Sequence, residues 1–119
     1  MNVRDIPLIL YHATYTHYLK RIKRFGLGSE VRRRSWESSR PGVVCLASDK
    51  DEAYSYAEIA DTVPDTWHDR IVVLAVNTAD LNKSKIFPDT NIKLDPGQKP
   101  TCFEYRGTIS FEKLSVVKI

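Results

Sequence analysis

The 119-residue chain reads as a single α+β domain, with two helices in its N-terminal half and a run of strands towards its C-terminus. Three observations predict this. Short apolar, β-compatible runs at Ile6 to His12, Val43 to Ala47 and Arg70 to Val76 are too brief for helices. Two intervening stretches repeat apolar residues every three to four positions, as a helix packed on one side must. The length supports one hydrophobic core and leaves no room for a second.

The elements follow in order. Ile6 to His12 is the first strand, and Thr14 or Thr16 is placed to cap the helix after it. Tyr15, Leu19, Ile22 and Phe25 form that helix's apolar stripe, and Gly26 ends it. Gly28 to Gly42 is polar, Arg-rich and loop-like, with Trp36 set to anchor it on the core or to touch a ligand. Val43 to Ala47 is a second strand. Ser48 and Asp51 suggest a capping box opening a helix through about Ala60, with Ala53, Tyr56 and Ala57 inward and Tyr54 to one side. Thr62 to Asp69 is a turn-rich link containing Pro64 and Trp67. Arg70 to Val76 is the strongest strand, expected near the sheet centre. Lys85 to Phe87 is a short strand closed by Pro88, and Asn91 to Pro100 is loop. Thr101 to Arg106 and Leu114 to Ile119 are two more strands, joined by Gly107 to Lys113.

Composition narrows the setting. Hydrophobic content of 42% and charged content of 28% are ordinary for folded chains, which argues against wholesale disorder. No apolar run is long enough to cross a bilayer. Ile6 to Tyr11 is too short for a signal peptide's apolar region and follows Asp5, so a cytoplasmic protein without a membrane partner is expected. Cys45 and Cys102 lack metal-ligand spacing and are expected to be free, buried thiols. His17 and His68 have no neighbours suited to a metal, and no metal is expected. The excess of 18 Lys and Arg over 15 Asp and Glu says little. Its distribution says more: Lys20, Arg21, Lys23, Arg24, Arg32, Arg33, Arg34 and Arg40 gather in the N-terminal third. Such a patch can hold phosphates, although charge runs are more often solvated faces.

Taken singly, the chemical candidates are bland. His12 at a strand end can donate, act as a base or bind metal, yet a lone His is more often ordinary. Glu104 lies between Phe103 and Tyr105, and strand alternation points it to solvent. Tyr54 and Tyr56 can stack on a flat ring, but helical spacing makes either an ordinary packing residue.

Together they form a pattern. LYHAT at Leu10 to Thr14, a helix ending in Gly26-Leu27, a basic loop, VVCLASDKDEAYSYAE at Val43 to Glu58, and CFEYRGTI at Cys102 to Ile109 occur in that order. This order resembles the ADP-ribosyltransferase superfamily, in the branch whose triad is His, Tyr and an acid. That branch includes poly-ADP-ribose polymerases, diphtheria-type toxins and the small rifamycin-modifying transferases. The resemblance implies an ADP-ribosyltransferase-like fold with two small packed β-sheets, and NAD as substrate. It implies that His12, Tyr56 and Glu104 are catalytic. His12 would hold the adenosine-side ribose, the Ala13 backbone the nicotinamide carboxamide, and Thr14 would assist at the ribose. Tyr56 would stack on nicotinamide with Tyr54 beside it, and Tyr11 and Cys45 would complete the cofactor contacts. Glu104 would stabilise the positive charge that develops as nicotinamide leaves.

The chemistry suits those groups. Cleaving a glycosidic bond to a cationic leaving group calls for a fixed carboxylate, a stacked ring and exclusion of water, more than for an acid. The pattern departs in two places: Ala13 stands where the family has Gly, and Cys45 where it often has an aromatic. Cys102 stands where arginine-directed members carry Glu or Gln, which disfavours arginine as acceptor. A protein, a nucleic acid or a small molecule remains open as acceptor. The alternatives are a binding module that kept the fold and lost the chemistry, and a relative of the NAD-using RNA 2'-phosphotransferases.

Overall fold

The computed structural model describes residues 6–28, 43–58, 71–88 and 101–117. The expected Arg-rich loop with Trp36, the link with Pro64 and Trp67, and the Pro-rich loop before Thr101 lie outside the described residues, apart from Gly28.

Six strands form one antiparallel sheet. They are β1 (Ile9–Tyr15), β2 (Val43–Ala47), β3 (Ile71–Asn77), β4 (Ile86–Pro88), β5 (Cys102–Arg106) and β6 (Leu114–Val117), in the order β4-β5-β2-β1-β3-β6. Helix α1 (Thr16–Phe25) follows β1 and α2 (Lys50–Glu58) follows β2. The α+β class is therefore as expected, with both helices before β3. The two packed sheets are not seen: the described strands make a single sheet, because β1 and β2 pair across its middle. That junction is thin, with the one register pair Tyr11↔Ala47.

The first strand is shifted from its expected place. It starts at Ile9, after Pro7, which has no N–H for a ladder. It runs on through Thr14 and Tyr15, pairing with β3 from Ile9↔Asn77 to Tyr15↔Ile71. Below it, Thr78 fastens the incoming chain, its hydroxyl donating to the Pro7 and Leu8 carbonyls at 2.9 and 3.1 Å. His12 thus sits in mid-strand, not at a strand end. Neither Thr14 nor Thr16 caps α1, since the N-cap position is Tyr15 and no side chain bonds there. Asp49, not Ser48, opens α2: its carboxylate accepts the Asp51 amide at 2.7 Å. The strongest apolar run, β3, is an interior strand between β1 and β6. Pro88 ends β4 instead of stopping short of it, which an edge strand tolerates.

Gly26 and Gly28 explain how α1 rejoins the sheet. Both take positive φ, +83° and +88°. A Cβ on Gly28 would lie 2.5 Å from Val44 Cγ2 and 2.8 Å from the Gly107 carbonyl oxygen, so only glycine fits without displacement. Between them, Leu27 and Ile109 exchange backbone hydrogen bonds of 2.8 and 2.9 Å.

Strand alternation divides the sheet into two faces. On one, Leu10, Val44, Leu46, Leu74, Val76, Phe103 and Tyr105 join Ile22 of α1 in the main hydrophobic core. On the other, α2 packs on β1, β2 and β3 through smaller clusters. Tyr15 with Ala57 makes one, and Ala47, Ala53 and Cys102 with Tyr11 and Tyr56 make another.

Candidate functional site

The α2 face carries most of the polar side chains in question. Cys102, Glu104 and Arg106 alternate along β5 and so share that face. Glu104 stands in register with Cys45 on one side and with Phe87 on the other. Alternation along β5 predicts a solvent-facing carboxylate, but Glu104 is only 6% exposed. The difference has a clear cause: β5 is an interior strand, and Arg106 folds back over the acid. The Arg106 guanidinium donates to Glu104 Oε1 at 3.3 Å and lies 3.6 Å from the Phe87 ring centroid. Ring and carboxylate together fix an otherwise half-exposed cation.

Two residues back along the same face, Cys102 meets α2. Glu52 Oε1 accepts three bonds: from the Tyr56 hydroxyl at 3.1 Å, the Cys102 thiol at 3.2 Å and the Thr101 hydroxyl at 3.5 Å. The Tyr56 hydroxyl also lies 3.3 Å from Cys102 Sγ. Burial raises the Tyr56 pKa well above its ordinary value, and Cys102 and Glu52 add to the shift. Burial likewise pushes the Cys102 thiol up to about 11, with the Tyr56 bond opposing and Glu52 reinforcing. Both groups therefore stay protonated at neutral pH.

His12 occupies the junction of the two sheet halves. Alternation sets it on the opposite side from Tyr11 and Ala13, and its Nδ1 lies 2.7 Å from the Cys45 carbonyl oxygen. Past Tyr11↔Ala47 the ladder stops, and an imidazole reaches β2 where a backbone amide would otherwise pair. A hydrogen bond and a register pair thus connect His12 to Glu104 by way of Cys45, but the His12 side chain leaves the sheet on the α1 side and those of Glu104 and Tyr56 lie on the α2 side.

The other expected contacts are dispersed. Tyr56 shares the α2 face with Glu104, but its hydroxyl is committed to Glu52 and Cys102. Tyr54 is half-buried and, two positions from Tyr56, points about 200° away around the helix. Tyr11 and Ala13 pack beneath α2, and Thr14 is buried on the α1 side of the sheet. Of the two thiols expected to be buried, Cys102 is buried but Cys45 is exposed. Sequence reasoning missed Glu52 and Arg106. Each had a signal: Glu52 precedes Tyr56 by one helical turn, and Arg106 follows Glu104 by one strand period.

Among the described residues no three His, Cys, Asp or Glu side chains group as a metal site, and no helix is long and apolar enough to cross a membrane. No protein-family model, curated protein or solved structure matches the chain.

Proposed function

We propose that the protein is an NAD-dependent ADP-ribosyltransferase, with Glu104 as the charge-stabilising acid, His12 as the ribose contact and Tyr56 as the ring against nicotinamide. One observation carries the reading. A buried carboxylate on the α2 side stands beside the exposed Cys45, whose carbonyl meets His12 from the α1 side, at the point where the two sheet halves barely pair. A carboxylate held there by Arg106 is preorganised, so it can stabilise a developing cation without first shedding water. In the reaction the C1'–N bond of the nicotinamide ribose breaks and nicotinamide leaves with the bonding pair. An oxygen, nitrogen or sulfur of the acceptor then bonds to C1' and gives up a proton, for which Glu104 is the nearest base in this scheme.

Nicotinamide release from labelled NAD tests it. Glu104→Gln is expected to lower release by about a hundredfold or more, and His12→Ala to raise KM for NAD. Release that survives Glu104→Gln unchanged would remove the assignment.

A binding module of the same fold is the second reading, favoured by the engagement of Tyr56. A hydroxyl bonded to both Glu52 and Cys102 ties its ring to the packing beneath α2. Absence of both nicotinamide release and NAD binding supports this alternative.

A further inference from the structure

We propose that the outward face of α1, with the turn at Phe111–Lys113, binds single-stranded nucleic acid. The helix sequence THYLKRIKRF holds no acidic residue, and Lys20, Arg21, Lys23 and Arg24 are all exposed. Among the described residues none of the four forms an ion pair. Lys20 with Lys23, Lys20 with Arg24, and Arg21 with Arg24 are like-charge pairs at helical neighbour spacing, which weakens a helix. Only Lys23 and Arg24, in the last turn, complement the helix dipole; the repulsion among the four remains, and a polyanion would relieve it.

Aromatic rings are interleaved with these cations. Phe25 closes the helix 45% exposed, with Arg24 Cζ 5.1 Å from its ring centroid. At 100° per residue, Lys20, Arg24, Arg21 and Phe25 follow one another around a single exposed arc. At its far rim Lys23 Nζ lies 5.6 Å from the Phe111 ring, and exposed Lys113 ends the same turn. Glu112 is the acid within this patch. Cations spaced along a helix suit successive phosphates, and an exposed ring suits a base released from a duplex. A membrane surface is the poorer match. A helix lying in lipid inserts its apolar stripe, whereas Tyr18, Leu19 and Ile22 of α1 are already packed into the core.

The patch is on the other side of the sheet from Glu104, so its failure and that of the transferase reading are separable. A fluorescent oligouridine of about 15 nucleotides, titrated with the full chain and followed by anisotropy, provides the test. The Lys20→Gln/Arg24→Gln double variant is expected to weaken binding about tenfold and to flatten the log–log salt dependence by about 0.7 for each lost phosphate contact. Phe25→Ala is expected to weaken binding about fivefold or more with the salt slope unchanged. A matched duplex should bind less tightly than the single strand. No binding by the wild type, variants that bind like the wild type, or equal binding to anionic phosphatidylserine vesicles would each overturn the proposal. Circular dichroism of the variants separates lost binding from lost fold.

Discussion

The two faces of the sheet are built from the same six strands and do different work. The α1 face is mainly apolar, with Thr14 and His12 as its polar members on β1, and closes around Phe103 and Leu10, both fully buried. The α2 face is interrupted: small apolar clusters alternate with a buried acid, a thiol and a tyrosine hydroxyl, each with a stated partner. Consecutive residues of β5 show the contrast most directly, since Phe103 belongs to the first face and Glu104 to the second. One strand thus supplies both stability and a chemical group, because its side chains alternate. The lesson is that the polar face is affordable only because the other one holds the fold.

That contrast can be broken by substitution. Phe103→Ala is expected to cost about 3–5 kcal/mol in a urea or guanidinium titration. Its neighbour Glu104→Ala is expected to cost about 1 kcal/mol, since Arg106 is half-exposed and can return to water. Equal losses would mean that Glu104 holds the fold as Phe103 does.

Glu52→Ala falls between these two. It leaves the Tyr56, Cys102 and Thr101 donors without their common acceptor, at about 1–3 kcal/mol. Glu52→Gln, which keeps an acceptor oxygen, should recover part of that loss. A fully stable Glu52→Ala protein would show the cluster to be incidental.

The smallest effect is expected at the cysteines. In the fold the Cys102 thiol is pushed up from 9.0 to about 11, so its contribution is complete below pH 9 and fades as pH rises towards 11. Cys102→Ser, unfolded across that range, should show a flatter decline than the wild type. Native alkylation near pH 8 should modify exposed Cys45 and spare Cys102. Rapid labelling of both would mean that the α2 face opens.

Much of this is legible along the chain. The helices appear close to their expected places, although of the stripe expected for α1 only Leu19 and Ile22 pack inward, since Tyr15 belongs to β1 and Phe25 is exposed; β2 and β5 appear because short β-compatible runs cannot make stable helices. The errors share a cause. His12 is mid-strand because β3 offers partners as far as Ile71, a fact about another segment. Asp49 displaces Ser48 as the cap because the Ser48 amide bonds the Thr101 carbonyl at 2.8 Å, drawing that residue into the sheet. Glu104 is buried because β4 and β2 flank β5 and Arg106 covers it.

Local pattern therefore settled the class, the order of helices and strands, and which residues alternate together. Periodicity is a short-range property, carried by each segment alone. Which face was covered, where the ladder between β1 and β2 stops, and that Glu52 gathers three donors were settled by strand order. Strand order depends on pairings between residues distant in sequence, and a carboxylate's surroundings are made by those partners and not by its neighbours in the chain.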